Sequence, residues 1–272
     1  MATYKEKRGT NVVPIVSAQP ETGVNGEIVY VTGEGLASYN GGTWSKLTAA
    51  VVPLDWTATT QQAKIQASDI QASDNFAVKV AIDGDTIVAG ANNEDTGAQD
   101  TGSAYVFTRS GTTWSQQAKI TASDGAVNDL FGIRARIAGD TIIIGALQHN
   151  SNAGAAYVFT RSGTSWSQQA KLVASDAENG DMFGSSIDMT GDTIIVGAPE
   201  EDTGASGAGA AYIFTRSGTT WTEAKKIQAS DAASNDYFGD FVGISGNTVL
   251  VSAYGEDTGG DNAGAAYTFV AG

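Results

Sequence analysis

Four pairs of aspartates recur in this 272-residue chain: Asp69 with Asp74, Asp124 with Asp129, Asp176 with Asp181 and Asp231 with Asp236. Each pair is five residues apart and lies just ahead of a phenylalanine. Carboxylates held in one loop can ligate a hard cation such as calcium when backbone carbonyls and water complete six to eight oxygens. The same side chains can instead close the turn by accepting backbone N–H bonds. With two carboxylates per loop and no further acidic ligand, turn closure is the stronger reading. Calcium is the one cofactor the sequence raises, and it requires none.

A second acidic set lies in the loops Glu94-Asp95-Thr96-Gly97, Glu200-Glu201-Asp202-Thr203-Gly204 and Glu256-Asp257-Thr258-Gly259, replaced in one repeat by Gln148-His149-Asn150. These loops should crowd one rim, either as an electronegative ligand surface or as solvated turns in which Asp and Gly do local work. His149 is the only histidine of a chain without cysteine, so it lacks the partners of a zinc site and reads as an ordinary loop residue. No cysteine nucleophile, Ser-His-Asp spacing, HExxH or Walker loop is present, so binding is expected and not catalysis. The paired carboxylates would serve a glycosidase only if two of them faced each other across a cleft.

The bulk numbers narrow the classes further. Glycine makes up 34 residues and proline 4, against roughly 7% and 5% in average usage, a mixture suited to many tight turns and little disorder. A net charge of −15 opposes nucleic acid or an anionic membrane as partner. No apolar run is long enough to span a bilayer, and the basic start Met1–Arg8 is not followed by the apolar core of a signal peptide.

The elements that must position the acidic loops are repeats. Gln61 to Ile65 recurs as Gln116 to Ile120, as Gln168 to Leu172 and, altered, as Glu223 to Ile227, while Phe76, Phe131, Phe183 and Phe238 set periods of 55, 52 and 55 residues. Each unit reads as four short strands, as in Phe183–Met189, Asp192–Ala198, Ala210–Thr215 and Trp221–Ile227. Two-residue links such as Thr190-Gly191 suit hairpins. One antiparallel four-stranded meander per repeat is the unit of a propeller. The expectation is an all-β fold: a four-bladed β-propeller over residues 51–272, preceded by an N-terminal arm and small β meander over residues 1–50. Because the array opens on a fourth strand and closes on a third, residues 61–65 should complete the last blade as a clasp and leave few unpaired edges. First strands line a propeller's centre, so Lys79, Arg134, Arg136, Asp188 and Asp240 should face the channel, paired with one another or holding an anion or water. Trp114, Trp166 and Trp221 share one repeat position and should pack between blades, with sugar stacking as the alternative.

Residues 61–272 resemble FG-GAP repeats, related to the propeller of integrin α chains. Phe131-Gly132, Phe183-Gly184 and Phe238-Gly239 match the FG element, with Phe76-Ala77 departing. Gly197-Ala198-Pro199 matches GAP, and Gly90-Ala91-Asn92, Gly145-Ala146-Leu147 and Ser252-Ala253-Tyr254 are degenerate forms. The resemblance implies an adhesion or ligand-binding propeller. The family commonly has seven blades and often a calcium loop between the first two strands, where this chain has only short glycine turns.

The first fifty residues differ. Residues 9–25 read as an extended arm, and Glu27–Thr32, Gly35–Asn40 and Thr43–Leu47 as a three-stranded meander. Such a sheet is marginal alone and should need a partner surface. The runs Gly23–Tyr30 and Leu36–Trp44 resemble short β modules of phage tail-fibre and other virion proteins. The leading expectation is a virion structural or appendage protein, anchored to other virion proteins through residues 1–50. Its propeller would bind a host-surface protein or glycan, with homo-oligomerisation open. The alternatives are a bacterial cell-surface adhesin or lectin and, behind it, a polysaccharide-acting enzyme.

Overall fold

The computed structural model describes residues 59–272 continuously and, ahead of them, the backbone of four short strands. Two compact units are present, residues 1–60 and 61–272. In the first, β1 (Ile15–Val16) pairs parallel with β2 (Ile28–Val31), and β3 (Gly35–Asn40) and β4 (Thr43–Lys46) extend the sheet antiparallel. The expected meander is therefore joined by a short strand from within the 9–25 segment. The basic residues Lys5, Lys7 and Arg8 lie outside the described residues. Among the described residues no helix is long and apolar enough to cross a membrane.

The second unit is a four-bladed β-propeller. Blade 1 consists of β5 (Val80–Asp83), β6 (Thr86–Ala91), β7 (Ser103–Ser110) and β8 (Thr113–Ile120), and blade 2 of β9 (Arg134–Ala138), β10 (Thr141–Ala146), β11 (Ala155–Ser162) and β12 (Ser165–Leu172). Blade 3 repeats the plan with β13 (Ser186–Thr190), β14 (Thr193–Ala198), β15 (Ala210–Ser217) and β16 (Thr220–Ile227). Blade 4 has three strands, β17 (Val242–Ser245), β18 (Thr248–Ala253) and β19 (Ala265–Val270). All pairings within blades are antiparallel.

First strands start three or four residues after the phenylalanine, not at it. The carbonyls of Leu130 and Met182 accept the N–H groups of Ile133 and Ser185, so Phe-Gly belongs to a turn. The hairpin loop is likewise one residue later than expected. Thr190 pairs with Thr193, leaving Gly191-Asp192 as the link, with Gly191 at φ +53°. Glycine at the first loop position follows the type II′ hairpin pattern.

The core lies between blades. Val88, Ala104, Val106 and Ile120 of blade 1 cluster with Phe131, Ala135, Ile137 and Ile142 of blade 2, and the equivalent residues join blade 2 to 3 and 3 to 4. At the inner end of each joint, the glycine of one blade's second strand meets the Phe-Gly turn of the next. A β-carbon at Gly90, Gly145 or Gly197 would overlap the carbonyl of Gly132, Gly184 or Gly239. The two motif elements are thus halves of one contact. Their departures, Ala77 in blade 1 and Ser252 in blade 4, fall on the faces where no neighbouring blade packs.

The expected clasp is not formed. Residues 61–65 belong to no strand, and among the described residues β19 pairs with β18 alone. The segment is held on the flank of blade 1 instead: Trp114 Nε1 donates to Gln62 Oε1 at 3.3 Å, and Ile65 and Ala67 pack with Phe76 and Tyr105. First strands stand side by side from β5 to β9 to β13 to β17, but β17 does not pack on β5 in the same way. The four blades form an open arc.

Candidate functional site

At one end of blades 1 and 3 the two acidic sets meet on a lysine. In blade 3, Lys226 Nζ lies 2.7 Å from Asp176 and 2.8 Å from Glu201, above the ring of Tyr212, whose hydroxyl donates to Asp176. Lys119 of blade 1 repeats this with Asp69 at 2.7 Å and Glu94 at 2.9 Å, above Tyr105. Glu94 and Glu201 are buried, and each also accepts from the threonine two residues on. Burial alone would raise Asp69 and Asp176, but the lysines override it and hold both carboxyls below the usual value. Burial is similarly outweighed at Glu94 by bonds from Ser103, Thr96 and Lys119. The fourth strand carries the lysine, the loop before the phenylalanine the aspartate, and the loop after the second strand the glutamate.

The second aspartates of the pairs cap turns. Asp74, Asp129, Asp181 and Asp236 are buried, and each Oδ2 accepts the N–H of the residue three earlier, at 2.6 to 2.7 Å. Asp95, Asp202 and Asp257 each close their own loop on the N–H five residues on. Glu200 stands apart, half-buried, its carboxyl raised by burial and by Asp202. Among the described residues no group of three or more His, Cys, Asp or Glu is placed to hold a metal ion.

The charges expected at the centre are only partly gathered. Arg136 bridges blades 2 and 3 at 3.1 Å from Asp188, which also accepts the N–H of Ile244 from blade 4. Asp240 is raised by burial against the opposing pull of Arg134, whose own hydrogen bond goes to the Ile133 carbonyl. Lys79 is exposed on blade 1. The tryptophans serve the joints: the Nε1 groups of Trp166 and Trp221 donate to Gln117 and Gln169 of the preceding blade, and Arg161 and Arg216 lie over the rings.

Blade 2 departs from its siblings. His149 stands 18 residues after Phe131, where Glu94, Glu201 and Glu256 stand 18 after their phenylalanines. That spacing was available in the sequence, and it places His149 at the glutamate's position in the repeat. Its Nδ1 lies 2.8 Å from buried Asp129 and its Nε2 2.7 Å from Lys171 Nζ, which also pairs with Asp124 at 2.7 Å. The geometry fits a neutral ring that donates from Nδ1 and accepts at Nε2. The loop is three residues shorter than its equivalents, and Asn150, Ser151 and Asn152 all have φ between 53° and 66°, a left-handed run that costs energy at each non-glycine residue. A cleft of about 440 Å³ opens beside it, lined by His149, Asn150, Ala153, Gly154, Lys171 and Val173.

The FG-GAP repeat profile matches residues 59–107, 114–159, 166–214 and 221–269. No curated protein matches the chain. Among solved structures, an S. cerevisiae complex described as dbp5 L327V bound to nup159, gle1 H337R, IP6 and ADP is 11% identical, with a TM-score of 0.40 over 71% of this chain and 44% of that one. The N-terminal domain of Nup159 is 12% identical, with a TM-score of 0.37 over 64% and 38%. The chain thus spans less than half the length of either. With a repeat profile matched over most of its length, and the two motif elements joining successive blades, the chain belongs to the FG-GAP repeat family.

Proposed function

We propose that the chain is a non-enzymatic binding protein whose propeller is a rigid scaffold, with the blade 2 cleft as its contact for a polyhydroxylated ligand such as a glycan. The observation that carries this reading is the contrast among equivalent clusters. In blades 1 and 3 a buried glutamate closes the site on its lysine, whereas in blade 2 a shorter, strained loop puts His149 there and leaves a cleft. The cleft is lined by Asn150 and by the mutually bonded His149 and Lys171, beside the apolar Val173 and Ala177. A few placed polar groups against an apolar wall is a common pattern of small-ligand recognition. No carboxylate lines the cleft, and the neighbouring Asp124 and Asp129 are engaged by Lys171, Tyr157 and His149, which favours binding over acid–base chemistry.

A finer placement puts this binding protein on a virion, as an appendage anchored through residues 1–50. Its support is the resemblance of residues 23–30 and 36–44 to tail-fibre modules, together with the division into two units. Screening the full chain against arrayed bacterial polysaccharides should give a ligand whose binding is lost in His149→Glu. Absence of any glycan ligand, or binding indifferent to that change, rejects the cleft. Mass spectrometry of purified particles tests the placement separately: a chain lacking residues 1–50 should fold but be missing from them, and normal incorporation rejects the anchor.

A further inference from the structure

We propose that two copies of this chain join head to tail, blade 4 of each against blade 1 of the other, closing a ring of eight blades. Each internal joint uses the same positions, so both ends of the arc present one half of a known interface. On blade 4, Leu250 is 49% exposed where its equivalents Val88, Ile143 and Ile195 are fully buried. On blade 1, Val80 and Ile82 are 57% and 63% exposed, where Ala135 and Ile137, Ile187 and Met189 are buried by the preceding blade.

The polar halves are complementary as well. Blade 4 holds Asp231 bonded to Tyr267, and a buried Glu256 bonded to Thr258, with no lysine. The missing cation has its repeat equivalent in Lys64, which is exposed on the flank of blade 1. Arg161 and Arg216 reach across their joints to Thr86 and Thr141. Their equivalent Arg109 is more exposed and bonds only Asp85 of its own blade, while Thr248, the matching threonine, is on blade 4. Between blades 3 and 4 a cleft of about 400 Å³, lined by Ala224, Lys225 and Phe269, lies where Trp166 and Trp221 sit at earlier joints.

Residues 61–65 of one copy would become the fourth strand of blade 4 in the other. The β15–β16 register, in which Ala211 faces Ile227, Tyr212 faces Lys226 and Ile213 faces Lys225, transfers to Ala266 with Ile65, Tyr267 with Lys64 and Thr268 with Ala63. Ala77 and Ser252 replace the two glycines that touch at internal joints, so the inner ends must stand further apart here, and the outer strands carry the contact. Two copies make eight blades, within the usual range of four to eight, whereas three would exceed it. A heterologous contact that closes leaves no edge exposed.

The chain has no cysteine, so the double variant Ala63→Cys, Thr268→Cys reports the joint directly. Both positions are exposed, and facing residues in antiparallel strands lie within disulfide reach. Mild oxidation of the full chain should give a covalent dimer and nothing larger. A disulfide within single chains would mean self-closure, a ladder of larger species would mean an open filament, and unreacted thiols would mean no joint; each overturns the proposal. Lys64→Glu should weaken the native dimer about tenfold or more, since like charges meet at Asp231 and Glu256, and Asp231→Lys added to it should restore much of the loss. An unchanged dissociation constant in both variants would count equally against it.

Discussion

Gly197→Ala is the sharpest test of how the blades are joined. A β-carbon there would sit 2.9 Å from the carbonyl carbon of Gly239 in the next blade, and nearer still to its oxygen and to the Ser186 hydroxyl. Carbon contacts are comfortable from about 3.5 Å, so blades 3 and 4 must part locally. Gly197 does not occupy the left-handed region, so the cost is steric and not conformational. Overpacking of this kind costs about 1 to 3 kcal/mol. Parting also stretches Ser186 Oγ to Gly239 O, at 2.6 Å, and Phe238 N to Ala208 O, at 3.0 Å, each worth about 1 kcal/mol. The expected loss is about 3 to 5 kcal/mol in urea unfolding followed by tryptophan fluorescence. Gly191→Ala is the control: its φ is +53° with nothing within 4 Å, so it should lose only about 1 to 2 kcal/mol from left-handed strain. If Gly197→Ala proves no worse than Gly191→Ala, the glycines are not where the blades lock.

Three further outcomes are expected. His149→Glu should rebuild the contact that Lys226 makes with Glu201, leaving unfolding free energy within about 1 kcal/mol of the parent while abolishing ligand uptake in the cleft. Trp166→Ala should cost about 2 to 3 kcal/mol, below the range for a fully buried tryptophan, since the ring is half-buried yet bonded to Gln117 and covered by Arg161. Stability should rise slightly on mild acidification and then fall: Asp181 and Asp240, raised by burial, disfavour the folded state until they are protonated. Asp69, Asp124 and Asp176 stay ionised below the ordinary value of 3.8, because their lysines override burial. Their contribution is full above that value and is lost as pH drops through their lower folded values, which thermal melts across acid pH would show as a maximum followed by a fall.

Much of the fold was legible because the repeat marks its own strands. Period, turn glycines and apolar runs gave the four-stranded unit, and the strands read for blade 3 lie within three residues of β13 to β16. The clasp was misplaced for a physical reason: counting strands shows what could pair, but not how sharply each blade turns from the last. With β17 not packed on β5, residues 61–65 keep only the contacts of a joint with blade 1, at Trp114 and Phe76. Both acidic sets were also visible, yet their roles were not. Asp69 and Glu94 are 25 residues apart, and only the lysine of the fourth strand brings them into one cluster.

The repeat also supplies its own control for deciding which departures matter. Ala77 and Ser252 break the glycine contact, and each lies on a face from which the neighbouring blade is missing. Blade 4 lacks its lysine together with the strand that would carry it. Those three changes follow from position at the ends of the arc. His149 does not: blade 2 has a blade on either side, its lysine, tyrosine and both aspartates are in place, and its joints close with the same glycines as the others. A buried glutamate there would have kept the stronger charge pairing seen at Lys119 and Lys226. Giving it up for a neutral ring on a strained loop carries a stability cost that packing does not explain, which is why the cleft beside His149 is the place to look for a ligand.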